Sequence, residues 1–439
     1  MIQWKMWWKA AFLLLAGGLI AACQENETGT EGTTTEKGRR TVLVYMNARN
    51  SLYGNVYADS LELVAGAKTM DAKDRLLLYV CKDSLSYLYR ISAGGTRMLL
   101  QCSADQNASD PRQLKMLLKW TGEQFPSDSY GLVLWSHSDG WLPSTNVSRN
   151  KSRGFGIDVG ADGNPWSDRT PDGNLGVQMN ITDLAQAVAE SGVRPEFIFF
   201  DSCLMLGVEA AYDLRSVTDW VIGSPAQIPS VGAQYTDMMR TALFSQPLNP
   251  QAFTEGYVQQ ASSYGEYGDM GVVLGAVRTD KLEALAACTR NMIEKYTNSN
   301  EPDMTGVLAY DRYKWQYFYR PEYYDLKQVM LHLIKEEADR QTWTAALEAC
   351  VQYPAATPYV NYWSDKANDR LILTPGKFSA ISTFVPQQRY TANAENCIYG
   401  DLNEAFATTE WAQACGWTEN EYLKSLLQNE ENAAETEEK

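Results

Sequence analysis

Histidine is almost absent from this chain: His137 and His332 are the two in 439 residues. Any chemistry that needs an imidazole as general base therefore has two places to look. Basic residues are also short, 38 Lys and Arg against 54 Asp and Glu. The resulting formal charge of -16 repels phosphate backbones and argues against a nucleic-acid partner. No apolar run reaches the ~20 residues of a membrane-spanning helix, and no internal repeat is visible. What is present, 45% hydrophobic and 21% charged residues, is ordinary globular composition. The length suits about two or three domains at ~150 residues each.

The amino end reads as an address. Lys5 and Lys9 precede the apolar stretch Ala10 to Ile20, which ends in the small residues Ala21 and Ala22 before Cys23. This is the order of a secretory signal, residues 1–22. The fragment Ile20-Ala21-Ala22-Cys23 resembles a bacterial lipobox, which implies that Cys23 becomes the lipidated first residue of the mature chain. A lipid there anchors the protein to a membrane without a protein span. Residues 23–40 lack large apolar side chains and are expected to be a disordered tether, and the acidic stretch 429–439 a solvated tail.

From Thr41 onward short apolar runs alternate with amphipathic stretches. Strands are expected at Thr41–Met46, Arg75–Val80, Tyr130–Trp135, Glu196–Phe200 and Trp220–Ile222. None alternates, so each should be covered on both faces. Helices are expected from Pro111, from Thr182 or Asp183 to near Gly192, over Asp280–Tyr296 and over Tyr323–Ala338, with a late strand at Lys377–Phe384. Strand-helix-strand repetition implies an α/β fold, a three-layer α/β/α sandwich with a mainly parallel central sheet and a smaller C-terminal region. The expected divisions are residues 41–299 and 300–428. In such sheets, sites form beyond the carboxyl ends of the strands.

His137 stands there, in WSHSDGW, just past an expected strand. His332 lies inside an expected helix on a mixed face, and nothing nearby converges on a site. With Cys23 set aside, seven of the eight cysteines remain, an odd number that leaves at least one thiol out of intramolecular pairing. Cys203 follows the apolar run EFIFF through Asp201 and Ser202 and precedes an expected helix marked by Met205, Val208, Ala211 and Leu214. The positive end of that helix would lower the thiol pKa, though position alone suits a buried inert cysteine equally well. One crossover would bring His137 and Cys203 to the same sheet edge, an arrangement suited to nucleophilic catalysis.

Three blocks carry a resemblance: TVLVYMNARNSL, LVLWSHSDGW and FFDSCLMLGVEAAYDLRSVTDWVIGSPAQIP. They occur in the order seen in the clostripain family of cysteine peptidases, relatives in fold of caspases and gingipains, and YYDL, FSAISTFVP and EWAQACGW are weaker echoes. The resemblance implies a dyad of His137 and Cys203, and an oxyanion hole from the backbone N–H groups of Ser138 and Cys203. It also implies a substrate-binding Asp201 that favours Lys or Arg in the primary pocket. Many relatives have Gly where this chain has Ser138, and the segment Ile228–Tyr235 holds no second acid. Family members are often activated by a cut between His and Cys. Here Arg149, Lys151 and Arg153 are available, with Lys151 the expected self-cleavage point.

No metal is expected in the site. Asp158, Asp162, Asn164, Asp168, Asp172 and Asn174 offer hard oxygen ligands for calcium, but turn formation is the simpler use of such residues. The aromatic stretch Tyr310–Tyr324 suits packing or stacking on a sugar. The sequence thus points to a lipid-anchored cysteine endopeptidase of the bacterial cell envelope, periplasmic or surface-exposed, acting on peptides or proteins without a cofactor. A catalytically impaired surface binding protein and a glycan-binding lipoprotein are the other two readings it allows.

Overall fold

A computed structural model describes residues 23–25, 36–103, 106–142, 154–261, 270–311, 321–360, 370–391 and 402–428. Five strands form the parallel centre of one large sheet: β2 (Gly38–Asn47), β3 (Arg75–Cys81), β6 (Ser127–Trp135), β9 (Phe197–Asp201) and β10 (Trp220–Gly223). Beyond β3 lie β4 (Ser86–Ser92), β5 (Gly95–Cys102) and β1 (Cys23–Glu25), all antiparallel. Beyond β10 lie β11 (Val273–Arg278) and β13 (Val351–Ala356), also antiparallel. The full order is β1-β5-β4-β3-β2-β6-β9-β10-β11-β13.

The central strands read as unbroken apolar runs because both faces are covered. In β2, Leu43 and Tyr45 join one buried layer while Val42, Val44 and Met46 join the other. Helices supply both covers, which gives the expected α/β/α sandwich. Helix α1 (Val56–Ala67) sends Val56 and Leu63 into the second layer. Helix α2 (Pro111–Gln124) sends Leu114, Leu117 and Leu118 into the first. Asp110 caps α2 by accepting the Arg112 N–H at 2.8 Å, and Pro111 fills the first turn, where no N–H is needed. Helix α3 (Ile181–Ser191) ends at Gly192, whose φ of +76° is the left-handed cap expected of glycine.

Several boundaries differ from the expected ones. The first central strand begins at Gly38, not Thr41, because Arg40 is drawn inside the fold, where its guanidinium meets Glu196 at 2.5 Å. The helix expected over Tyr323–Ala338 is β12 (Tyr324–Asp325), α7 (Leu326–Leu333) and then α8 (Glu337–Cys350), broken where Ile334 adopts ψ +124°. In the late apolar run only Ser382–Thr383 is strand.

Residues after 300 are woven into the same core. Strand β13 pairs with β11, and the Ser382 N–H donates to Leu206 O at 3.0 Å, just past the end of β9. The buried Glu209 carboxylate accepts from Phe384 N at 2.8 Å and Thr383 Oγ1 at 2.9 Å. The chain beyond Cys203 is therefore held from the C-terminal side. Residues 1–22, most of the expected tether, Arg149, Lys151 and Arg153, and the tail 429–439 lie outside the described residues.

Candidate active site

Strands β6 and β9 are parallel neighbours, and Trp135 is matched with Asp201. His137 and Cys203 each stand two residues beyond that matched pair, at the carboxyl ends of strands about 4.8 Å apart. A direct bond joins the two loops: Ser138 Oγ donates to the Cys203 carbonyl at 2.5 Å. Beyond Cys203 the chain turns sharply through Leu204, a non-glycine residue at φ +61°, whose N–H donates to Ala226 O at 2.9 Å. A leucine held there is costly and persists only because its surroundings fix it. Gly140 sits at φ +71° on the histidine side, and a Cβ there would lie 2.7 Å from the Tyr323 ring and 2.8 Å from Leu204 O. Tyr323 in turn donates its hydroxyl hydrogen to Asp139 O. The histidine and cysteine loops are thus interlocked.

Three other contacts set the electrostatics. The Cys203 sulfur accepts the Ile228 N–H at 3.4 Å. His137 Nε2 lies 2.8 Å from Ser51 Oγ and 3.6 Å from Asp168 Oδ1. Burial pushes the Cys203 thiol up to about 12, with Asp139 and Asp201 adding to the rise and the Ile228 N–H opposing it. Burial also lowers the His137 pKa, against the pull of Asp168. At neutral pH Cys203 is thus held as the thiol and His137 as the neutral imidazole. The helix expected to depress the thiol pKa does not do so, because α4 (Val208–Asp213) starts five residues after Cys203. A helix dipole fades within one turn, and desolvation wins.

The loop after β6 meets residues 154–156 in an antiparallel bridge of Ser138 with Phe155. Its bonds run from Gly156 N to His137 O at 2.9 Å and from Asp139 N to Gly154 O at 3.0 Å. The Ser138 N–H takes no part in either.

Compared with known protein families, residues 44–422 match the model described as the clostripain family. The chain belongs to the clostripain family. It is accordingly a cysteine-type peptidase with the caspase-like α/β/α fold. Among solved structures, a secreted C11 cysteine protease from Bacteroides thetaiotaomicron, in complex with an irreversible peptide inhibitor, is similar at 27% identity and a TM-score of 0.70. That match covers 87% of this chain and 99% of the other. An inactive zymogen C11 protease from Parabacteroides distasonis matches at 25% identity and a TM-score of 0.68, with the same coverage. No curated protein matches.

The remaining clostripain-like expectations fall unevenly. Asp201 is 3% exposed, and its carboxylate accepts from Ala233 N at 3.0 Å, Tyr235 OH at 2.7 Å and Tyr257 OH at 3.1 Å. Burial raises its pKa, and those three donors oppose the rise. Gly232, at φ +61°, covers it so closely that a Cβ would lie 2.9 Å from Asp201 Oδ2. Three of the acids considered for calcium are otherwise engaged. Asp158 holds Arg49 at 3.0 Å, Asp168 accepts from Ser51 N, and Asp172 accepts from Thr170 and Asn174. Among the described residues no group of three or more His, Cys, Asp or Glu side chains is arranged to hold a metal ion. His332 lies far along the chain in α7, where its carbonyl accepts from Lys335 Nζ at 2.8 Å.

Tyr310, Tyr323 and Tyr324 are buried, and Tyr310 spends its hydroxyl on Asp325, so the described part of the aromatic stretch is core. The remainder, residues 312–320, lies outside the described residues. Sequence reasoning missed Ser51, Ile228 and Tyr323. Ser51 had a usable signal: it follows β2 in the block TVLVYMNARNSL, at the same sheet edge as His137.

Proposed function

We propose that this chain is an endopeptidase that cleaves after Lys or Arg through a Cys203–His137 dyad. The observation that carries the reading is the matched register of β6 and β9 together with the Ser138–Cys203 bond, which keeps a thiol and an imidazole at one sheet edge. His137 takes the Cys203 proton as the sulfur attacks the scissile carbonyl carbon. The negative oxygen that forms is met by the N–H groups of Ser138 and Cys203, the former outside the Phe155 bridge. His137 then gives its proton to the departing amine, leaving a thioester on Cys203. Water, deprotonated by the same imidazole, attacks the thioester and releases the acid product and the thiol. Apart from that water and the substrate, the steps use only groups of this chain.

Asp201, at the end of β9, is the acid proposed to receive the basic side chain. Gly232 lies directly over this carboxylate, and a side chain at 232 would meet Asp201 Oδ2. A peptide-library digestion by the mature protein beside Cys203→Ala tests the whole reading. Products ending in Lys or Arg, absent with the variant, support it. Turnover that persists in Cys203→Ala overturns it.

Self-cleavage at Lys151, or at Arg149 or Arg153, is proposed to activate the enzyme. Strand β7 (Phe155–Asp158) begins just beyond these residues and pairs with β8 (Val177–Met179), so a cut there leaves the following hairpin attached. That the Parabacteroides relative is an inactive zymogen is in keeping with such a step. Wild-type protein that migrates like Cys203→Ala after incubation, with no new amino end, counts against it. We also propose envelope attachment through lipid on Cys23. No helix among the described residues is long and apolar enough to cross a membrane.

A further inference from the structure

We propose that Ser51 and Asp168 position His137 for catalysis: Asp168 accepts the Ser51 hydroxyl hydrogen, Ser51 Oγ accepts from His137 Nε2–H, and Nδ1 is left as the nitrogen that takes the thiol proton. This rests on the dyad reading above and adds two residues to it.

The direction of the bonds follows from what each group is able to do. A carboxylate only accepts. Asp168 Oδ1 accepts the Ser51 N–H at 2.8 Å, and Asp168 Oδ2 lies 3.1 Å from Ser51 Oγ. The hydroxyl hydrogen therefore goes to Asp168, and the remaining partner of Ser51 Oγ, His137 Nε2 at 2.8 Å, is the donor. The opposite tautomer would need Ser51 to give its hydrogen to the ring and turn lone pairs toward a carboxylate oxygen. Asp168 Oδ1 is 3.6 Å from Nε2, too far for a direct bond but near enough to favour the imidazolium that forms when the thiol is deprotonated.

Asp168 arrives from the segment between His137 and Cys203, and that segment is fixed at both ends. Asp158 is buried against Arg49 at 3.0 Å, and Val159 N donates to Arg49 O at 3.1 Å. The Arg169–Leu175 bridge and the bond from Gly176 N to Asp168 O at 2.9 Å turn the chain back. Trp166 packs on Tyr53 with its ring tilted by 50° and centroids 4.6 Å apart, two residues from Ser51. All of this lies after Lys151 and Arg153, so processing there keeps Asp168 in place.

With two histidines in the chain, the tautomer is directly readable. Protein carrying ¹⁵N-histidine is recorded by long-range ¹H–¹⁵N correlation at pH 7.5, with His332→Gln to assign His137. The expected result is a neutral His137 protonated on Nε2. In Asp168→Asn the side-chain amide donates to Ser51, which then donates to the ring, so the tautomer should switch to Nδ1–H. With it kcat should fall on the order of a hundredfold at nearly unchanged KM. Ser51→Ala should lose the single tautomer and at least about tenfold in kcat, and Ser51→Thr should restore most of both. An Nδ1–H tautomer in the unaltered protein overturns the proposal. So does an Asp168→Asn protein of unchanged tautomer and turnover, or one of increased turnover. The dyad reading fails separately, through activity in Cys203→Ala, so the two failures are distinguishable.

Discussion

Ser138 donates its hydroxyl hydrogen to the carbonyl of Cys203, so the residue after the histidine is bonded to the backbone of the proposed nucleophile. In relatives with glycine at this position the clamp has no counterpart. Ser138→Ala removes it while keeping the backbone N–H proposed for the oxyanion hole. The expected cost is about 1 kcal/mol of stability, read by denaturant unfolding, because one hydrogen bond is lost and the Cys203 carbonyl is left short of a partner. Turnover of a Lys-ending substrate should fall only a few-fold. A loss beyond about a hundredfold at full stability would assign the hydroxyl to the chemistry instead.

The thiol and the imidazole are both held neutral, and this has a kinetic signature. The thiolate is the reactive form, and the Cys203 pKa is raised to about 12 by burial. Alkylation of Cys203 by iodoacetamide in the absence of substrate should therefore be slow at pH 7. It should climb about tenfold per pH unit to beyond pH 9 without levelling. Mass spectrometry of the Cys203 peptide follows the rate. A plateau reached below pH 7 would mean that a thiolate–imidazolium pair already exists at rest.

Asp201 offers a sharper test of specificity than of fold. Its carboxylate already has three protein donors, from Ala233, Tyr235 and Tyr257, so a substrate cation must share it rather than complete it. Asp201→Asn keeps the shape and removes the charge. Relative kcat/KM for Lys or Arg over a neutral residue should drop at least about tenfold, measured with paired fluorogenic peptides. Equal loss for both substrates would make Asp201 a structural residue under the nucleophile.

The central sheet was legible because β2, β3, β6, β9 and β10 are buried on both faces and leave no polar alternation. The hairpin β4–β5 was not, because its strands are only partly buried and carry residues such as Tyr87, Arg90 and Arg97. Strand β13 hid behind Pro354, which an edge strand tolerates. Met205, Val208, Ala211 and Leu214 have helical spacing, yet Leu204 turns left-handed and Gly207 is extended, so the first residues of that run pack as loop. His137 and Cys203 were legible as candidates by type and place, at the carboxyl ends of β6 and β9. Asp168 was not, since an aspartate in a polar loop carries no periodicity and only tertiary structure brings it near the ring, and for Ser51 the one signal was its place just after β2.

A buried acid beneath the end of β6 should make stability fall as pH rises. Asp59 accepts from Trp135 Nε1 at 2.7 Å, and its pKa is raised to about 9 by burial, with Asp201 and Glu62 adding to the rise. The unfolded chain loses this proton near the ordinary carboxylate value, whereas the folded chain keeps it to about 9. Unfolding thus releases a proton between those limits, and stability falls as pH rises, by up to about 1.4 kcal/mol per unit. Asp59→Asn retains an acceptor for Trp135 and removes the titration. Its stability relative to the unaltered protein should increase from pH 5 to pH 8 in thermal melts, and a constant difference would show that Asp59 is ionised in the fold.

Envelope attachment is decided at one sulfur. Strand β1 sets Cys23 opposite Cys102 in register, and Cys102 is disulfide-bonded. A sulfur carrying the lipid thioether has no valence left for a disulfide, so the two fates of Cys23 exclude each other. The anchor predicts that protein made in a bacterial host partitions into detergent and that its amino-terminal peptide carries a diacylglyceryl mass on Cys23. It further predicts that Cys23→Ser appears in the soluble fraction with its peptidase activity intact, because the Cys203 site is built from β6, β9 and the segments around them. Non-reducing peptide mapping supplies the opposite outcome: a Cys23–Cys102 cross-link in the native protein would remove the anchor and make β1 a covalently fastened edge strand.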